Sequence, residues 1–145
     1  MKRKVRNSIA IALGAPMAVM MFVLTAPAQQ PKRKPIGDTG IVTLRPNEIL
    51  RVVGDWNGDG VADIQFRQAV YVQGGVNNGV YKLMLTSQST SQTVTLMPGE
   101  AASIDIPSND FGVRAIVFSD KPNLHVNAMI VDATTGNIIA MLVGG

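Results

Sequence analysis

The residues able to do chemistry are concentrated in one stretch, "GDWNGDGVADIQF", Gly54 to Phe66. Asp55, Asn57 and Asp59 stand at alternate positions, Gly60 follows, and Asp63 comes three residues later. Calcium takes roughly six to eight hard oxygen ligands, and a tight loop supplies several from one segment. Side chains at the first, third and fifth positions converge on one ion. Gly60 permits the sharp turn, the carbonyl of Val61 adds an oxygen, and Asp63 binds directly or through water. Three carboxylates this close repel one another unless a cation sits among them. An EF-hand would run on into a helix and place Glu at the twelfth position. Here that position is Phe66, in a strand pattern. Water or an oxygen from elsewhere must complete the shell, with Asp38 and Asp110 the candidates on composition. The expected affinity is weak, on the order of 10⁻⁴ to 10⁻³ M. A metal-free hairpin stays open, because Asn57-Gly58 and Asp59-Gly60 are both turn dipeptides. Turn chemistry alone does not ask for Asp at both 55 and 63.

"GDWNGDGVADI" resembles the calcium loop of FG-GAP/VCBS-type repeats of secreted and surface proteins. Trp56 falls at the aromatic position of that pattern and Ile64 at the apolar one after the loop. The resemblance implies calcium held by Asp55, Asn57, Asp59, the Val61 carbonyl and Asp63. It covers about eleven residues in a single copy, so it speaks for a metal site and not for a propeller. Dockerin loops are similar but lead into a helix, which "IQFRQAVYV" does not suit.

Other chemistry has little material. The chain has no Cys and one His, His125, which alternates with apolar Leu124 and Val126 and reads as an exposed strand residue. Glu48 and Glu100 follow matched Pro turns and read as turn residues rather than a glycosidase pair. Trp56 is expected beneath the acidic loop and Tyr81 in an inward row, leaving only Tyr71 outward for sugar stacking. No enzymatic activity is expected.

The elements that must position the loop are short strands. Ile64, Phe66, Val70 and Val72 alternate with polar residues, as do Leu124, Val126, Ala128 and Ile130, and Tyr81, Leu83 and Leu85. Period-two alternation argues for half-buried antiparallel strands. The pattern predicts nine: 41–45, 48–53, 63–72, 80–88, 92–97, 101–106, 112–119, 124–132 and 137–143. An all-β, two-sheet antiparallel β-sandwich follows. The last strand, "NIIAMLV", is apolar on both faces, so it is expected to be central or covered; otherwise it is a sticky edge.

An internal repeat is also present. Val42–Phe66 aligns without gaps on Val94–Phe118, with ten of 25 positions identical. Pro46-Asn47 and Pro98-Gly99 fit the centre of type II turns. The sandwich is therefore expected to have two pseudo-symmetric halves.

The amino-terminal region reads separately. Lys2, Arg3, Lys4 and Arg6 precede an apolar run from Ile9 to Thr25, and Ala26-Pro27-Ala28 gives an A-x-A site. Residues 1–28 are expected to be a cleaved signal peptide, with an uncleaved membrane anchor as the alternative. Residues 29–40, rich in Pro and charge, read as a linker to a domain at 41–145. The chain has 13 Lys and Arg against 10 Asp and Glu, a net +3. Beyond residue 28 the balance is 9 against 10, and from Ile36 it is 6 against 10. The basic character thus lies outside the domain, and nucleic-acid binding loses its support. The sequence points to a secreted or periplasmic interaction or structural module that binds calcium, and it names no protein or glycan partner. A small carbohydrate-binding module is the alternative.

Overall fold

The computed structural model describes residues 32–86 and 90–142, so the expected signal peptide lies outside the described residues. These residues form two antiparallel sheets and no helix. Sheet I contains β1 (Lys34–Asp38), β3 (Ala62–Asn77), β4 (Val80–Leu85), β5 (Ser91–Leu96) and β7 (Val113–Ser119). Its order is β1-β7-β3-β4, with β5 pairing the first part of β3. Sheet II is β6-β2-β8-β9, from β2 (Glu48–Trp56), β6 (Glu100–Pro107), β8 (His125–Asp132) and β9 (Ile138–Leu142). The expected two-sheet sandwich is what forms.

Alternation sets which side chains meet between the sheets. In β2, Leu50, Val52 and Trp56 point inward; in β7, Val113, Ala115 and Val117 do. Leu50, Val52, Ile64 and Phe66 are almost wholly removed from water and share one core with Ile104, Ile106 and Leu124. Full burial of such side chains contributes about 1.5–3 kcal/mol each before the cost of ordering them. At Gly54 the two sheets approach closely. A Cβ there would stand 2.1 Å from Ile64 Cδ1.

The repeat is visible in the pairing. Repeat-mates β2 and β6 pair with each other in sheet II, and mates β3 and β7 pair in sheet I. The two Pro turns are built alike. Glu48 N–H donates to Arg45 O and Glu100 N–H to Met97 O, both at 3.0 Å. Glu48 Oε2 accepts from Arg45 N–H and Glu100 Oε2 from Met97 N–H, both at 2.8 Å. Asn47 has φ 69° and Gly99 φ 86°, the left-handed geometry that position of the turn requires. The ungapped match slips at the third strand, however. Ile64 and Phe66 are buried, but their mates Ile116 and Phe118 face outward, half-exposed. β6 is one residue shorter than β2 before its loop, which turns the following strand over by one position.

Several boundaries and faces differ from expectation, Val72 of the β3 row among them, which is exposed. Lys34–Asp38, read as linker, is β1 and pairs with β7. Residues 41–45, read as a strand, contribute only an isolated bridge from Val42 to Val113. Tyr81 and Leu85, read as inward, are exposed, because β4 runs beyond the region where the sheets face each other. β9, read as central or covered, is the outer strand of sheet II with Ile138, Ile139 and Met141 exposed.

Candidate metal centre

The acidic loop joins the two sheets. β2 ends at Trp56 in sheet II, residues 57–61 cross over, and β3 starts at Ala62 in sheet I. Trp56 is buried beneath the crossing, and its Nε1–H donates to Gly60 O at 2.8 Å. A Cβ on Gly58 would lie 2.4 Å from the Trp56 ring, so the backbone rests directly on the indole. Gly60 takes φ 73°, the left-handed turn expected of it. The loop is thus shaped from below by one aromatic side chain.

Asp55 is half-buried at the end of β2, while Asn57, Asp59 and Val61 are exposed in the loop. Asn57 Nδ2 donates to Asp55 Oδ2 at 3.2 Å. Trp56, Asn57, Gly58 and Asp59 line a surface cleft with Asn123 and His125 from the start of β8 and the turn before it. His125 is exposed, as its alternation predicts.

Asp63 is held apart from this group, in β3 on sheet I. Its Oδ1 accepts from Thr95 Oγ1 at 2.6 Å, and its Oδ2 from Arg33 Nη2 at 3.2 Å. Its own N–H donates to Asp120 Oδ1 at 2.8 Å. The Thr95 hydroxyl, with the Arg33 guanidinium, holds the Asp63 carboxyl below the usual carboxylate range. A cation therefore already stands beside one of the three carboxylates, and it is a side chain. Among the described residues, no three His, Asp or Glu side chains gather closely enough to hold a metal ion. The donor chemistry suits a hard cation at Asp55, Asn57, Asp59 and the Val61 carbonyl. At Asp63 it suits one only in exchange for Arg33.

Topology also rules on the completing ligands. Trp56 pairs with Glu100, and Ile49 with Pro107. The loop after β2 and the loop after β6 therefore leave opposite ends of sheet II, so Asp110 is at the far end from Asp59. Asp38 is occupied by a two-pronged pair with Arg114. Oxygen donors at the correct end include Asn123 and Asp120, neither of which the sequence marked, and Glu100, whose Oε2 already accepts from Met97 N–H. The turn before β8 could have been paired with the acidic loop only by knowing that β8 lies beside β2.

Comparison with family models, curated proteins and solved structures finds no match for this chain.

Proposed function

We propose that this chain is an exported, non-enzymatic interaction or structural module whose acidic loop binds one calcium ion as a local clamp. The carrying observation is the loop itself. Asn57 and Asp59 line a cleft at the crossing between the two sheets, beside the buried Trp56, and Asn57 donates to Asp55 at the end of β2. In this reading Asp55, Asn57, Asp59 and the Val61 carbonyl hold the ion, and Asp63 joins on leaving Arg33. That exchange is supported by Arg33 itself, whose Nε is buried with no hydrogen-bond partner. An orphaned buried donor costs free energy that release into water would recover. Bound calcium would tie Asp55, next to the end of β2, to the loop and to β3, the task a disulfide performs in other exported domains. The FG-GAP/VCBS-like loop and the basic, apolar amino terminus are the sequence features that agree with this reading.

The carbohydrate-binding alternative calls for a row of outward aromatics. Tyr81 is exposed, but its neighbours on that side of β4 are Leu83 and Leu85.

The test is thermal unfolding in calcium and in chelator. A ligand that binds only the folded state raises the midpoint with its concentration. Calcium should raise it, and Asp59→Ala should abolish the rise. Arg33→Ala should move the response to lower calcium, because the Oδ2 of Asp63 then loses its competing cation. Identical melts with and without calcium would leave the metal-free hairpin.

A further inference from the structure

Each half of the chain ends in a hairpin, and the two hairpins are placed differently. In the second half, β8 and β9 belong to sheet II, where β8 covers the outer side of β2. In the first half no such crossing occurs. β3 runs on for 16 residues in sheet I and turns back at Asn78-Gly79 into β4. β4 stands to β3 as β9 stands to β8, each the return strand of its half's hairpin, and a short likeness five residues out of register with the repeat accompanies this. Gly79–Leu85, "GVYKLML", and Gly136–Leu142, "GNIIAML", share Gly, Met and Leu at the same three positions. The mate of β2 is β6, and among the described residues nothing pairs with the outer side of β6. One half thus has a free hairpin, and the edge that would match it is free as well.

The free hairpin is apolar. Val72, Val76, Val80, Tyr81, Met84 and Leu85 are 39 %, 54 %, 70 %, 65 %, 50 % and 54 % exposed. Lys82 is the only charge between residues 70 and 85, whereas β6 carries Glu100 and Asp105. We infer that the β3–β4 hairpin of one copy of this chain pairs with the β6 edge of a second copy, reciprocally, to form a strand-exchanged dimer. The physical logic is that of domain swapping: an element that could close on its own molecule instead reaches another through an extended hinge. The hinge is residues 68–72, where β3 continues straight and the corresponding stretch before β8 turns. Six such side chains expose on the order of 600 Å² per copy, a patch at the upper limit for a monomer. Reciprocal contact removes on the order of 1,200 Å², the lower end for a stable, specific interface. Main-chain pairing along β6 would add to that, since edge strands present a ready row of N–H and C=O groups.

The chain has no cysteine, so introduced thiols report without background. Lys82→Cys and Ser103→Cys full-length variants, mixed under mild oxidation, should give a covalent heterodimer. The same mixing with Ile138→Cys in place of Ser103→Cys should not. Sedimentation of the unmodified chain should show a dimer, and Tyr81→Lys/Leu85→Lys should shift it to monomer. Both side chains are exposed, so folding itself should survive and far-ultraviolet circular dichroism should be unchanged. A monomeric unmodified chain would overturn the inference, as would a dimer indifferent to the two lysines. A Lys82→Cys/Ser103→Cys single chain that closes an internal disulfide, with no crosslinked pair, would show the hairpin folding on its own β6 and overturn it too.

Discussion

Carboxylates paired on the surface set the acid behaviour of this protein. Arg51 grips Asp105 across β2 and β6 through two bonds of 2.7 Å. Arg114 grips Asp38, and the Thr134 and Thr135 N–H groups donate to Asp132. Each partner holds its carboxyl below the usual range: Arg114 at Asp38, Arg51 at Asp105, the Thr135 and Thr134 amides at Asp132 and the Thr95 hydroxyl at Asp63. A depressed folded-state value means that folding favours the ionised form. The stabilisation is complete above the ordinary carboxylate value of about 4 and is lost as pH falls through the lowered values. Melting midpoints should therefore be level from neutral pH down to about 5 and drop steeply below about 4. Asp38→Asn should flatten that acid limb while lowering stability at pH 7 by no more than about 1 kcal/mol, since the pair is largely exposed. An acid limb unchanged by Asp38→Asn would remove this pair from the account.

Elements show where sequence patterns carry and where they stop. The turns were legible because their chemistry is local: Pro46-Asn47 and Pro98-Gly99 need only their own φ angles. The core positions Ile64 and Phe66 of β3 and Leu124 and Ala128 at β8 were legible because period two is a backbone property, whereas the inward row of β7 was not, since the repeat pointed to Ile116 and Phe118. β4 and β9 form where the pattern placed strands, but β1 and the faces of β4 and β9 were not legible, because neighbours decide them. β1 looks like a linker until β7 lies beside it, and β9 looks central although, among the described residues, it pairs with β8 alone. The candidate site divides in the same way. Trp56 under the loop followed from local spacing, but the Arg33 and Thr95 partners of Asp63 are 30 and 32 residues away. Gly54 belongs to this scale also, since its missing side chain lets β2 approach β3. Gly54→Ala should cost about 1–3 kcal/mol in denaturant titrations, from forced repacking of Ile64. Adding Ile64→Val removes the clashing Cδ1 and should recover part of the loss. If the single and double variants are equally destabilised, the close approach is not the cause.

The whole molecule is built from distant partners. β2 pairs with β6 and β8, and β3 with β7, so neither half can complete a sheet before most of the chain is present. Among the described residues, only the β3–β4 and β8–β9 hairpins close locally. Loop-closure entropy must be met before such long-range contacts repay it, which places folding in the range of about milliseconds to seconds. Trp56 is the only tryptophan and an ideal witness, because its burial needs more than its own strand. It sits at the end of β2 with its ring under the crossing loop, and its carbonyl accepts from Gly99 N–H at 2.7 Å. Its fluorescence should therefore change in the slow, cooperative phase of refolding and not within the mixing time. Early circular-dichroism change without Trp56 change would fit hairpins forming first. A Trp56 signal already complete at the first readable time point would mean that the loop closes on its indole locally, and the dependence on β6 argued here would fail.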